Sequence, residues 1–128
     1  MKEIFILGCE KKEAGGGIYM YAALYGGRMY VILKYGGAGG NSSCFSIKPD
    51  FSDISEAKDT LGECACHLAV SEKGVYIVNY LSGNISKNCA TCDVHTGRGV
   101  NLPRQNSAHT HFVGFTPDGN NLLCTDLG

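Results

Sequence analysis

The sequence has no apolar run that approaches the roughly 20 residues needed to span a bilayer as a helix. Its longest apolar stretches are residues 4–7 and 29–33. It also has no cluster of basic residues, because 11 Lys and Arg stand against 12 Asp and Glu for a formal net charge of −1. These absences predict a protein that is not integral to a membrane and has neither a nucleic-acid nor an anionic-membrane partner.

We also expect no secretory leader at the amino terminus. Residues 6–9 read Ile-Leu-Gly-Cys, superficially a lipoprotein cleavage box, but the apolar stretch before them is far shorter than the roughly 7 to 15 residues of a signal peptide. Seven cysteines are an odd number in a chain without a signal. We therefore expect free, mostly buried thiols in a reducing compartment, which favours the cytoplasm.

Charge is scarce and glycine is abundant. Only 18% of the residues are charged and 18 are glycine, while Val, Ile, Tyr and Phe occur in short runs, which is typical of short strands joined by tight turns. We predict a single domain with strands over residues 2–8, 18–25, 28–35 and 44–47, the first two forming a hairpin. A helical turn is expected only around residues 55–58. The glycines of residues 36–40 lack the Lys-Ser/Thr pair of a phosphate-binding loop and predict a plain loop.

A plan of histidine, apolar strand, turn glycine, second apolar strand and Asn or Asp occurs twice. It runs from His67 to Asn79 and again from His111 to Asp126, with a fainter copy after Gly27. The interval of about 45 residues is typical of propeller blades. We predict an all-β, propeller-like fold of two to three incomplete blades of antiparallel four-stranded sheet, at about residues 1–47, 48–93 and 94–128. Because closed propellers have roughly four to eight blades, open sheet edges and self-association are expected.

The densest chemistry lies in residues 104–128. His109 and His111 are two residues apart, so on an extended strand their imidazoles leave the same face, and Arg104 can reach that face from the preceding loop. This segment is the candidate site.

The motifs together resemble a known family. They are Gly-Ile-Tyr-Met-Tyr at residues 17–21, residues 66–71 with 79–84, His-Thr-Gly-Arg-Gly-Val-Asn at residues 95–101, and then Arg104-Gln105, His109, His111 and Asp-Leu-Gly at residues 126–128. The chain resembles the amino-terminal part of the seven-bladed lactonase propellers, the family of the propeller-type 6-phosphogluconolactonases and the fungal carboxymuconate cyclases. It is shorter than the family pattern in several places, which implies a short or truncated portion.

The resemblance implies a lactone hydrolase of sugar-acid metabolism, 6-phosphogluconolactonase-like, acting on a small-molecule lactone without a metal or organic cofactor. His109 or His111 would handle the proton or polarise the carbonyl, since imidazole is poised near neutral pH. Arg104 would clamp the substrate anion. The residues at equivalent blade positions, His67, Asn79 and Asp126, would bind the substrate.

Several alternatives stay open. The His and Asp residues of each blade could tie strands together, or Asp126 could orient a neighbouring imidazole. Cys89, Cys92 and His95, with Cys64 and Cys66 upstream, could bind zinc, although a second paired motif at finger spacing is absent, and Cys89 with Cys92 could exchange disulfides. The chain could also be a catalytically inactive propeller remnant or an interaction module.

Overall fold

The computed structural model describes residues 19–128, so the strand expected at residues 2–8, and with it the first predicted hairpin, lies outside the described residues. The described part is all-β. No helix within it is long and apolar enough to cross a membrane. Its ten strands are β1 (Tyr19–Tyr25), β2 (Arg28–Gly36), β3 (Ser42–Ile47), β4 (Lys58–Asp59), β5 (Ala65–Ser71), β6 (Gly74–Asn79), β7 (Asn84–Lys87), β8 (Thr91–Val94), β9 (Thr110–Phe115) and β10 (Leu122–Asp126).

The strands form three antiparallel sheets in chain order. β1 to β4 and β5 to β8 each make a four-stranded sheet, and β9 pairs with β10 in a two-stranded one. The predicted class, all-β with antiparallel four-stranded sheets and an incomplete third, is confirmed. The first sheet takes its fourth strand, β4, from beyond residue 47, whereas the division of the chain at residues 47 and 93 stays a prediction.

The turn that closes the β9–β10 hairpin follows from its residue types. Asp118 accepts hydrogen bonds from the Thr116 hydroxyl at 2.5 Å and the Asn120 amide at 3.0 Å. Gly119 has φ of +69°, a conformation that costs glycine little, and its N–H donates to the Thr116 carbonyl at 2.8 Å. Side chain and backbone therefore specify one reversal of the chain at this point.

The apolar core crosses from the first sheet to the second. Ile32 and Cys44 of the first sheet cluster with Ala65, Leu68 and Ile77 of the second. Each fully buried Leu or Ile side chain stabilises the fold by roughly 1.5–3 kcal/mol. The two sheets are therefore held together by shared burial, with β1, β5 and β9 as the neighbouring first strands of the three sheets.

A buried polar network joins the second sheet to the segments on either side of it. The Asn79 amide oxygen accepts from the Thr60 hydroxyl at 2.9 Å, and its nitrogen donates to Asn84 at 2.7 Å and to the Thr60 carbonyl at 3.1 Å. The Thr110 hydroxyl, at the start of β9, donates to the carbonyls of Asn79 and Asn84. Because these groups are buried and bonded to one another, they fix the relative placement of the strands.

One local prediction is wrong. Residues 55–58 contain no helical turn, because the Ser55 amide donates to the Ser46 carbonyl and its hydroxyl accepts from the Ser46 amide, which lays the segment along β3. A 3₁₀ turn instead occupies Ala38–Gly40 within the glycine loop.

The thiols are not mostly buried either. Of the six cysteines in the described part, only Cys44 is buried, while Cys92 is exposed on the outer strand β8. Cys64 and Cys89 lie in turns with positive φ, and a turn offers a side chain less cover than the inner face of a sheet.

Candidate functional site

His67 lies between aromatic rings from two neighbouring sheets. Its ring centroid is 4.2 Å from that of Tyr21 on β1 and 4.6 Å from that of Phe112 on β9. The Val113 amide donates to His67 Nδ1 at 3.4 Å, which requires that nitrogen to be unprotonated. Burial lowers the pKa of His67, and the nearby His111 acts in the same direction. His67 is therefore a neutral imidazole at neutral pH.

His109 and His111 both lie against the ring of Tyr80. The His109 ring stacks on it at 4.6 Å with an interplanar angle of 13°, and the His111 ring meets it edge-on at 6.0 Å. His109 Nδ1 is 3.0 Å from the Tyr80 carbonyl oxygen, so Nδ1 carries the proton and Nε2 is the basic nitrogen. The structure thus brings the two histidines to one side, as their spacing predicts. We call Tyr21, His67, Tyr80, His109, His111 and Phe112 the inner-strand cluster.

Asp126, at the end of β10, orients a histidine that is not one of this pair. Its Oδ2 lies 2.9 Å from Nδ1 of His95, and its Oδ1 accepts the amide N–H groups of His109 at 2.7 Å and Gly128 at 2.9 Å. Burial by itself would raise the pKa of the Asp126 carboxyl, but the two amides and then the His95 ring hold it below its usual range. Asp126 is thus an ionised carboxylate that positions His95.

A cavity of about 420 Å³ opens beside this pair. We call it the Asp126 cavity. Its lining residues are His95, Thr96, Gly97, Arg98, Ala108, Asp126 and Gly128. His109 connects the cavity to the inner-strand cluster, because its amide binds Asp126 while its ring stacks on Tyr80. Arg98 supplies a permanent positive charge at the cavity, suited to a phosphate or carboxylate.

Arg104 is not brought into the cavity. It is exposed in the loop that precedes β9, and within the described part it forms no hydrogen bond or ion pair. The loop is held by its neighbour Gln105, whose amide donates to the Asn101 carbonyl at 3.0 Å and whose side chain donates to the Leu127 carbonyl at 3.3 Å. Its role as an anion clamp stays a prediction.

Two groups of the site were missed from the sequence. Arg98 was visible only as a member of the 95–101 motif, and its place beside Asp126 depends on the path of a long loop. Tyr80 directly follows Asn79 in the second-blade motif. Its position at the end of an apolar strand was the one sequence feature that could have indicated its place in the site.

Asn79 is placed away from solvent. Its side chain is 0% exposed and both of its amide atoms are bonded within the buried network. Such an amide supports the fold, and it has no exposed surface with which to make its predicted contact with substrate.

The residues proposed as zinc ligands contact different parts of the structure. Cys89 packs on the core cluster that contains Cys44, Cys92 is exposed, and His95 bonds Asp126. Across residues 19–128 no three His, Cys, Asp or Glu side chains converge on a metal-sized site.

Known proteins resemble this chain over most of its length. The family model described as "Lactonase, 7-bladed beta-propeller" matches residues 7–128. A 6-phosphogluconolactonase of Bacillus subtilis is 29% identical over 114 residues, which is 78% of this chain and 32% of that protein. An uncharacterized protein of Staphylococcus epidermidis is 30% identical over 116 residues, 78% of this chain and 33% of its own length.

Solved structures agree on the fold. The crystal structure of a candidate 6-phosphogluconolactonase from Bacteroides fragilis matches 93% of this chain and 37% of its own, with a TM-score of 0.69 and 24% identity. A second, from Bacteroides uniformis, matches 79% of this chain and 33% of its own, with a TM-score of 0.64 and 20% identity. The chain spans about a third of the length of the relatives it matches. Because the family model matches nearly all of the sequence, the chain belongs to the lactonase family of seven-bladed β-propellers.

Proposed function

We propose that the chain provides a catalytic face for hydrolysis of a phosphorylated sugar lactone, as the Bacillus subtilis relative's name, 6-phosphogluconolactonase, suggests. His111 or His109 takes a proton from the attacking water or polarises the lactone carbonyl. Arg98 and Arg104 hold the anionic group of the substrate, and His67 lines the site beside them. The proposed setting is the cytoplasm.

The chemical properties of these side chains match the steps of lactone hydrolysis. A basic imidazole nitrogen accepts the proton of a water molecule as its oxygen bonds to the lactone carbonyl carbon. The ring C–O bond then breaks, and the same proton can pass to the leaving alkoxide. Arginine stays charged throughout, and its planar fork binds a phosphate at two points. Product formation consumes one water and requires no redox partner.

The observation that carries the proposal is the position of His109. It joins the Asp126 cavity, which contains Arg98, to a cluster that contains three imidazoles. Arg98 and the imidazoles of His67 and His111 thus lie on either side of His109, which supports the proposed roles of an anion clamp and of proton transfer. Geometry of this kind supports acyl transfer on an anionic substrate better than a purely structural set of histidines, which would not need an arginine-lined cavity.

The test is hydrolysis of 6-phosphogluconolactone by the purified chain. NMR measures the rate of hydrolysis, which is compared with the spontaneous rate in buffer alone. We expect His111→Ala or His109→Ala to lower kcat by about 100-fold or more, the usual worth of general acid–base catalysis. Arg98→Ala and Arg104→Ala should chiefly raise KM. Asn121→Ala, an exposed change in the β9–β10 turn, should leave both constants unchanged.

Two outcomes would overturn the proposal. Activity that survives all four substitutions would remove the site assignment. A well-folded chain that gives no rate above buffer would instead favour the inactive remnant or interaction module.

Self-association is a second proposal, and the third sheet supports it. β10 pairs with β9 on one side and has no partner strand on the other within residues 19–128, where the other two sheets have four strands each. Leu123, on β10, is 56% exposed. A free edge with an apolar side chain favours pairing with the edge of a second copy. Cys124→Pro, which removes a β10 N–H that faces away from β9, should abolish a dimer measured by analytical ultracentrifugation, and a monomer at all concentrations would contradict the proposal.

A further inference from the structure

We propose that Cys89 and Cys44 are a thiol pair that a hydroperoxide oxidises to a disulfide joining the first two sheets, with Cys89 as the attacking nucleophile and Cys44 as the thiol that resolves it. The proposal goes beyond lactone chemistry and involves none of the residues of that site.

The two cysteines come from different sheets and meet at the boundary between them. Cys44 is buried in β3, 6% exposed, within the core cluster that spans both sheets. Cys89 lies in the turn between β7 and β8 and packs against that same cluster. They are 45 residues apart in the chain, and the sequence gives no hint of their pairing.

A cavity gives a small reagent access to the pair. It holds about 360 Å³ and is lined by both cysteines together with Tyr30, Phe45, Lys58 and Val75. Cys89 is half-buried, so its sulfur is the more accessible of the two. A hydroperoxide fits such a space, whose charged lining residues are Lys58 and Glu56.

The backbone holds Cys89 in an unusual conformation. Its φ is +53° and that of Asn88 is +55°, a left-handed region that glycine and asparagine tolerate and cysteine rarely adopts. Asn88 fixes the turn, because its amide donates to the Val75 carbonyl at 2.7 Å and its side chain accepts the Val75 N–H at 2.8 Å. The turn therefore holds Cys89 in a fixed place beside the core cluster that contains Cys44.

The two thiols have pKa values shifted in opposite directions. The neighbouring Cys44 thiol lowers the pKa of Cys89 against the opposing effects of burial and of the Asp59 charge, and the charge of Lys58 acts in the same direction as Cys44. The interaction with Cys89, together with burial, raises the pKa of Cys44. Elsewhere burial raises the pKa of Cys66 to about 11. Cys89 is thus disposed to react as a thiolate.

The reaction balances in two steps. The Cys89 thiolate attacks one oxygen of the hydroperoxide, the O–O bond breaks, and a sulfenic acid forms with release of hydroxide or alkoxide, which takes up a proton. The Cys44 sulfur then attacks the Cys89 sulfur, water leaves, and the S–S bond forms. Two thiols lose two electrons and two protons in all, and the peroxide is reduced to water or to water and an alcohol.

The experiment treats the reduced chain with hydrogen peroxide and identifies the products by mass spectrometry of unreduced tryptic peptides. Because Cys89 and Cys92 fall in one peptide, the assay uses Cys92→Ser as well as the unsubstituted chain. We expect a Cys44–Cys89 disulfide in both, with the loss of two hydrogens and a raised Tm. Cys44→Ala should leave a sulfenic acid on Cys89 that dimedone traps, and Cys89→Ser should leave Cys44 reduced.

Several results would overturn the proposal. They are a Cys89–Cys92 disulfide in the unsubstituted chain, oxidation of Cys44 that persists in Cys89→Ser, or dimedone labelling of Cys89 no faster than that of Cys92. Circular dichroism checks that each variant is folded. Should Cys44→Ala fail to fold, the Cys92→Ser products decide between the outcomes by themselves.

Discussion

Asp126 Oδ2 lies 2.9 Å from His95 Nδ1, and this bond joins the end of β10 to the residue that follows β8. The same carboxylate accepts two backbone N–H groups, one of them from His109, the residue directly before β9. A single side chain therefore holds together the second sheet, the third sheet and the chain end beyond it.

We predict that Asp126→Asn destabilises the fold by about 1 kcal/mol at pH 7, because the charge-assisted bonds to His95 and the amides weaken. The carboxylate's folded pKa is below the roughly 3.9 of an unfolded aspartate, so its stabilisation is present above that pH and is lost as the pH falls through the folded pKa. Urea unfolding of the parent and of Asp126→Asn at pH 7 and near pH 3 measures the loss of stability and its pH dependence. An equal difference between the variant and the parent at the two pH values would contradict this prediction.

Asn79→Ala should cost about 2–4 kcal/mol, because it leaves the buried Thr60 and Asn84 groups without their partner. Asn121→Ala is the matched control, since that side chain is exposed, and it should cost less than about 0.5 kcal/mol. Equilibrium unfolding in urea compares them. A small effect at Asn79 together with a large rise in KM would support substrate binding in place of the structural role.

Two glycines should respond differently to alanine. A Cβ on Gly62 would come within 2.6 Å of the Asn84 side-chain oxygen and 2.7 Å of Asn79, so we expect Gly62→Ala to cost about 2–3 kcal/mol. Gly119 has open space around it but φ of +69°, and Gly119→Ala should cost only about 1 kcal/mol. Thermal and urea unfolding rank the two, and the reverse order would show that the contacts around Gly62 are not tight.

His67 should titrate below the reference value of about 6.5, because burial between two aromatic rings disfavours its charged form. The unfolded chain binds the proton first as the pH falls below about 6.5, so the folded state loses stability from there down to the folded pKa. His67→Gln should remove that part of the pH dependence. Imidazole ¹⁵N NMR gives the pKa directly, and a value at or above 6.5 would contradict the packing described for the ring.

Local signals explain how far the sequence led to the fold. Short β-branched runs between glycine turns predicted β2, β3 and the repeated hairpins, and the Thr116-Pro117-Asp118-Gly119 turn formed as its chemistry requires. The helical turn at residues 55–58 failed because pairing with β3, a contact distant in sequence, outweighed local preference.

The site was predictable only where strand geometry governs it. Residues two apart on a strand share a face, which placed His109 with His111. The partner of Asp126, the approach of Arg98 and the meeting of Cys44 with Cys89 all depend on how loops return across sheets. Spacing along the chain carries no information about such contacts, and for the same reason the Cys89, Cys92 and His95 motif does not come together.

Binding of 6-phosphogluconate, the hydrolysis product, tests the central claim most directly, because it does not depend on turnover by a chain a third the length of its relatives. The measurement is ¹⁵N-edited NMR of the labelled chain with the ligand added to millimolar concentration. We predict saturable shifts at His109, His111, Tyr80 and Arg98, which Arg98→Ala weakens. The absence of saturable shifts, or shifts confined to the cavity of Cys44 and Cys89, would contradict the placement of a substrate site between the inner-strand cluster and the Asp126 cavity.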